Sequence, residues 1–332
     1  IQQPAATLSV TVTHQNVSCY GGSNGSALAQ VSGGTAPYTY IWVPVVQFTP
    51  QAVNLTAGIY TVSVIDINGC QASANVTITH PPTLITHAYT NTAVQCYGTA
   101  TGSAFVNVSG GLPPYDYSWN TVPSQTTAEV SGVFAGMYHV TITDAAGCSA
   151  VDSVMISEPP ALNAVIVSHT SVTCFNGSNA VATGGATGGT PPYFFAWSTS
   201  PVQTTQSVAG LAAGNYTLTI TDFNGCTATT VLTITQPSQV VTYASPDVAI
   251  CRGGSTVLSA TASGGVAPHL FNWNNSLGFG PFQTVAPQSN TSYVVTAFDA
   301  NGCAGLPDTV TVHVKTLFPQ DVNVSAFSPI CA

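Results

Sequence analysis

Hydrophobic and polar residues alternate strictly in one stretch that occurs four times. It reads Tyr60-Thr61-Val62-Ser63-Val64, then Tyr138-His139-Val140-Thr141-Ile142, Tyr216-Thr217-Leu218-Thr219-Ile220 and Tyr293-Val294-Val295-Thr296-Ala297. A period of two in β-branched and aromatic residues, bounded by Gly, Asn and Pro turns, predicts strands. A second pattern places three rings on alternate positions: Tyr38, Tyr40 and Trp42; Tyr115, Tyr117 and Trp119; Tyr193, Phe195 and Trp197; His269, Phe271 and Trp273. Residues two apart share one face of a strand. No helical stripe occurs, so the chain reads as all-β.

The patterns belong to a tandem repeat. Cys19, Cys96, Cys174 and Cys251 recur every 77 or 78 residues, and Cys70, Cys148, Cys226 and Cys303 follow each by 51 or 52. The tryptophans keep the same beat, as do Asp66, Asp144, Asp222 and Asp299, each four residues before the second cysteine. Modules are expected over 5–81, 82–160, 161–237 and 238–315, after a linker over 1–4 and before a fifth module beginning at 316. A repeat of about 77 residues with six or seven short strands suits an Ig-like β-sandwich, whereas propeller blades are shorter. Strung on Pro linkers such as His80-Pro81-Pro82 and Glu158-Pro159-Pro160, four sandwiches are expected to form a rod of about 120–160 Å.

Composition narrows the function. Lys and Arg total 2 and charged residues are 4% of the chain, which excludes nucleic-acid binding by phosphate neutralisation and polybasic attachment to lipid. No apolar run reaches 18 residues, so no helical membrane insertion is expected. The opening Ile1-Gln2-Gln3-Pro4 reads as the end of a strand and a linker, as in a mature product or a piece of something longer.

Candidate chemistry is sparse. The cysteines are expected to form disulfides within modules, Cys19–Cys70, Cys96–Cys148, Cys174–Cys226 and Cys251–Cys303. Each would close a loop of about 52 residues and contribute about 4 kcal/mol in the chain-entropy model. Zinc is the rival, but no CxxC or CxxH spacing occurs and the histidines do not recur in register. Cys331 is expected to be unpaired, since its partner would fall past residue 332. Trp42, Trp119, Trp197 and Trp273 are expected in the core; the alternative is a sugar-stacking platform, which would make the chain a carbohydrate-binding array. Gly21-Gly22-Ser23-Asn24-Gly25 matches the nucleophile elbow GxSxG but lies in a turn of an all-β repeat. The glycines at 184, 185, 188 and 189 have no helix to form a phosphate site. The repeated Asp-x-Asn-Gly could offer oxygens to Ca²⁺ or close a turn through its own backbone. No enzyme activity and no cofactor are expected.

The combined script resembles the SprB repeat: Val17-Ser18-Cys19, Gly33-Gly34-Thr35-Ala36-Pro37-Tyr38 with Trp42, and Ala57-Gly58-Ile59-Tyr60 running to Asp66-Ile67-Asn68-Gly69-Cys70. Modules one to three are similar to it along their whole length. Module four, with Ile250-Cys251 and Asn290-Thr291-Ser292-Tyr293, resembles the PKD-like or Ig-like modules found beside such repeats. The resemblance implies a stalk or filament region of a very large secreted adhesin on the cell surface of gliding Bacteroidetes, exported by the type IX route. It implies no catalysis. Implied partners are neighbouring modules of the same chain, copies associating laterally into a fibre, and surface glycans or substrata. Sandwich edges are usually guarded by charge, especially Lys, and this chain has only one lysine, Lys315, and one arginine, Arg252. Attached sugars or lateral packing are the expected substitutes. By resemblance to exported proteins of that group, Asp152-Ser153-Val154 and Asp308-Thr309-Val310 are candidate O-glycan sites, at Ser153 and Thr309.

Overall fold

The computed structural model describes residues 6–316. The expected linker over 1–4, nearly all of the expected fifth module and Cys331 lie outside the described residues. The chain divides into two compact units, Ile1–Ala161 and Leu162–Ala332. Each contains two separate hydrophobic cores, one per module.

The first module shows the plan. Its strands are β1 (Ser9–Gln15), β2 (Gly25–Ser32), β3 (Tyr38–Val43), β4 (Gln51–Leu55), β5 (Gly58–Asp66) and β6 (Gln71–Ile78). Two three-stranded antiparallel sheets, β1-β2-β4 and β3-β5-β6, face each other. Alternation decides which side chains meet: Tyr60, Val62 and Val64 point inward along β5, against Ala27 and Ala29 of β2 and Trp42 of β3. This is an Ig-like sandwich.

The second module repeats it with β7 (Ile85–Thr92), β8 (Gly102–Ser109), β9 (Tyr115–Trp119), β10 (Glu129–Val133), β11 (Gly136–Asp144) and β12 (Ser149–Ile156). Its sheets are β7-β8-β10 and β9-β11-β12. In the other unit, the third module has β13 (Asn163–His169), β14 (Ala180–Thr187), β15 (Phe194–Trp197), β16 (Ser207–Leu211), β17 (Gly214–Thr221) and β18 (Thr227–Ile234), again three strands to a sheet.

The fourth module departs. It runs β19 (Val241–Ala244), β20 (Val248–Cys251), β21 (Thr256–Ser263), β22 (Leu270–Trp273), β23 (Gly278–Phe279), β24 (Phe282–Val285), β25 (Thr291–Phe298) and β26 (Asp308–Lys315). One of its sheets has five strands, because β20 joins β26 in parallel and β23 extends β22.

Each tryptophan sits at the centre of its core, with Trp42 0%, Trp119 1%, Trp197 1% and Trp273 3% exposed. Buried indole N–H groups need an acceptor, and the stretch after each ring supplies one. Nε1 donates to the carbonyls of Thr49, Thr127, Thr205 and Gly280 at 2.9–3.1 Å. The first ring of each triplet is also tied: Tyr38, Tyr115 and Tyr193 donate to Gly33, Gly110 and Gly188 carbonyls. In the fourth module His269 Nε2 reaches the Gly264 carbonyl at 2.8 Å, which accounts for a histidine in a tyrosine register.

The β4 edge has a particular guard. The Gln47 side chain takes the place of a neighbouring strand: Val53 N–H donates to its Oε1 at 3.0 Å, and its Nε2 donates to the Val53 carbonyl at 2.9 Å. Gln125 does the same for Ser131 on β10.

Candidate functional site

The two cysteines of a module sit at opposite ends of the sandwich. The segment before the first cysteine is fastened to the end of the last strand, through Val17 N–H to Thr79 O at 3.0 Å, Val94 to Ser157 at 2.9 Å and Val172 to Thr235 at 3.0 Å. The turn after that cysteine is held by the module's final residues. Tyr20 packs edge-on against His80 at 4.6 Å, Gly98 N–H donates to Glu158 at 2.7 Å and Asn176 N–H to Gln236 at 2.8 Å. Asn24 and Asn179 close this opening turn on Ser18 and Thr173, so the GxSxG segment is turn structure.

The second cysteine closes the Asp-x-Asn-Gly turn at the other end, where the chain comes in. Each aspartate turns its carboxylate on three backbone amides. Asp66 accepts from Asn68, Cys70 and Thr35 at 2.8–2.9 Å, and Asp144 from Ala146, Cys148 and Leu112 at 2.9–3.0 Å. Asp222 and Asp299 repeat the pattern. The carboxylate thus clamps its own turn to the Gly-Gly turn beside it, and the Asn carboxamide is not needed for this, which accommodates Ala146. These oxygens face amides rather than a cation site. Among the described residues no group of three or more His, Cys, Asp or Glu could hold a metal.

The Gly-Gly turn in turn receives the incoming chain. Gly34 N–H donates to Ala6 O at 3.1 Å and Gly111 N–H to Pro82 O at 3.0 Å. A Cβ on Gly110, at φ +74°, would stand 1.9 Å from the Thr83 carbonyl oxygen, so only glycine fits.

This geometry overturns the expected cross-links. Cys70 precedes β6, while the Cys19 turn is fastened to the end of β6. Eight strand residues separate them, about 26 Å at ~3.3 Å each, whereas a disulfide needs Cα atoms within about 7 Å. The pairs Cys19–Cys70, Cys96–Cys148, Cys174–Cys226 and Cys251–Cys303 therefore do not form. Instead the first cysteine of one module bonds the second cysteine of the next. Cys19–Cys148 closes 129 residues with Cα atoms 5.7 Å apart, and Cys174–Cys303 closes 129 with 5.6 Å. Cys96, Cys226 and Cys251 are also disulfide-bonded, whereas Cys70 is a free, exposed thiol.

Each bridged junction encloses a cleft of equivalent make-up. One, of about 390 Å³, lies between Tyr20 and the Pro82–Leu84 segment beside Cys148. The other, of about 420 Å³, lies between Phe175 and Ser238–Val240 beside Cys303. The contact is polar as well as covalent: Asn301 Nδ2 donates to Thr173 O at 3.1 Å.

The SprB repeat family matches the chain three times, at residues 11–46, 88–124 and 166–202. The chain carries three SprB repeats. Each match runs from the first strand to just past the tryptophan, so the resemblance expected along whole modules is carried by their first halves. No curated protein sequence matches the chain. Among solved structures it is similar to the three N-terminal domains of the highly immunogenic outer capsid protein of bacteriophage RB49 (14% identity, TM-score 0.33, 69% of this chain and 98% of that one). It is also similar to a tetra-tandem repeat in the extending region of a large adhesion protein (14% identity, TM-score 0.30, 92% and 98%). A third is the I67–I69 fragment of the titin I-band (14% identity, TM-score 0.28, 71% and 99%).

In this SprB-repeat chain the two candidate glycan hydroxyls, Ser153 and Thr309, are exposed. Their neighbouring aspartates are structural. Asp152 accepts from Ala88 N–H at 2.7 Å and Asp308 from Ala244 N–H at 2.8 Å, joining last strand to first.

Asp66, Asp144 and Asp299 should make their modules acid-sensitive. Burial raises their pKa, but the amide donors outweigh it and leave Asp66, Asp144 and Asp299 below the ordinary 3.8. A folded pKa below the unfolded one means their contribution is complete above pH 3.8 and is lost as pH falls toward the folded value. The urea midpoint should be flat from neutral pH to about 5 and drop below about 4. Asp144→Asn should destabilise at neutral pH and shrink that drop. An unchanged acid limb in the variant would remove the turn from the account.

Proposed function

We propose that this chain is a structural, non-catalytic repeat region of a secreted surface adhesin, built to carry tension between an adhesive part and the cell. The carrying observation is the pair of bridges Cys19–Cys148 and Cys174–Cys303, each of which joins consecutive modules at their junction. Disulfides persist in oxidising compartments outside the cytoplasm, which supports an extracellular location. No helix among the described residues is long and apolar enough to cross a membrane. Burial of all four tryptophans closes the ring faces that a carbohydrate-binding array would need. Export by the type IX route and a part in gliding follow from the SprB resemblance and belong to this proposal.

Cells displaying the protein with Cys19→Ser and Cys148→Ser should bind their substratum normally at rest and detach at lower shear. Loss of binding at rest would overturn the stalk reading, because the modules would then contain the adhesive site. Unchanged detachment would overturn the tension-bearing role.

A further inference from the structure

Cys70 belongs to a turn whose other copies show what such a turn receives. Its amide donates to Asp66 Oδ1 at 2.8 Å and its carbonyl accepts from Asp66 N at 3.0 Å. Cys148 makes the same pair with Asp144 at 2.9 and 2.9 Å, and Cys303 with Asp299 at 2.9 and 3.1 Å. Both of those sulfurs are bonded to the opening cysteine of another module, and both accompany a close approach to the residue before it: Cys148 Sγ to Ser18 O and Cys303 Sγ to Thr173 O, each at 3.4 Å. Cys303 is buried in its junction, whereas Cys70 is exposed. Beside Cys70 stands Asn68, the counterpart of the Asn301 that donates across the unit-two junction. Ile67, in the same turn, is 63% exposed.

We propose that the incoming end of the first module is a covalent docking face for another SprB-type module, whose opening turn seats on Ile67–Cys70 and whose opening cysteine bonds Cys70. The partner is recognised by its chemistry: a turn of the form Val-x-Cys followed by an aromatic residue, held at the exit end of a sandwich, as Val17–Tyr20 and Val172–Phe175 are. Asn68 donates to the carbonyl of the residue before that cysteine. Closure requires a two-electron oxidant, here a low-molecular-weight disulfide RSSR. The Cys70 thiolate attacks one sulfur and releases RS⁻. The incoming thiolate then displaces the second RS⁻, giving the bridge and two RSH. The inference rests on the observed bridges and not on the tension-bearing reading.

The test adds a second copy of residues 5–81 in tandem ahead of the full chain and oxidises the product in a glutathione buffer. Non-reducing peptide mapping should then link Cys70 to the opening cysteine of the added copy. The free, alkylatable thiol should move to the added copy's own second cysteine. In the unextended chain iodoacetamide should modify Cys70. A tandem chain in which Cys70 stays alkylatable, or in which the added copy's two cysteines pair with each other, would overturn the proposal. If that added copy does not fold, as read by circular dichroism, residues 82–160 in its place supply a different opening turn and the same two outcomes. In the extended chain Asn68→Ala should slow bridge formation severalfold. An unchanged rate would remove Asn68 from the docking face.

Discussion

Pulled from its two ends under oxidising conditions, the chain should extend far less than its residue count allows. Each bridge passes force directly from Cys19 to Cys148, or from Cys174 to Cys303, a sequence separation of 129, and the residues between carry none of it. At about 3.3–3.6 Å per extended residue, each bridge withholds about 430–460 Å. Single-molecule force spectroscopy should show that length appearing when a reductant is added. Bridges closed within modules would hide only about 170–190 Å each by the same measure. The size of the released step therefore identifies the pairing. Equal extension with and without reductant would exclude both. The same closure limits the unfolded chain, a contribution of about 5 kcal/mol per bridge in the chain-entropy model.

The second large effect is in the cores. Trp119→Ala should lower the stability of its module by about 3–5 kcal/mol. A domain of this size holds only about 4–12 kcal/mol in total, so the module should be partly unfolded at moderate temperature. The loss has two sources, a cavity at the centre of the sandwich and a Thr127 carbonyl left without its 2.9 Å donor. Chemical denaturation followed by the three remaining tryptophans and by circular dichroism should show one module melting early. A change below about 1 kcal/mol would mean that the ring is not the centre of the core.

The sandwich and its aromatic centre were legible because they are local. Tyr60, Val62 and Val64 share a face by strand geometry alone, and a ring at every second position of β3 needs no knowledge of the partner sheet. The cross-links were not legible, because in a regular repeat every pairing of first and second cysteines is equally periodic. Strand direction decides between them. Had β2 to β6 formed a simple up-and-down meander, the starts of β2 and β6 would lie at the same end, and Cys19 would meet Cys70. In the sandwich β3 and β4 run in the same direction, one in each sheet: Val17 N–H meets Thr79 O, so β2 starts where β6 ends and opposes it, β4 opposes β2, and β3 and β6 both oppose β5. That reverses the parity and sends the two cysteines to opposite ends. The nearest signal in the sequence was the polar or aromatic residue preceding each Pro linker, His80, Glu158 and Gln236, which turned out to grip the opening turn.

The carboxamide of Gln47, seated on the edge of β4, bears on where such a molecule can work. Protection of an edge by charge weakens as salt screens it, with a Debye length near 8 Å at physiological ionic strength and near 3 Å at 1 M. An amide that fills the hydrogen-bonding sites of Val53 has no charge to screen and no proton to lose. A surface with 2 basic residues in 332 can therefore keep this edge from joining a neighbour's in brine as well as in dilute buffer.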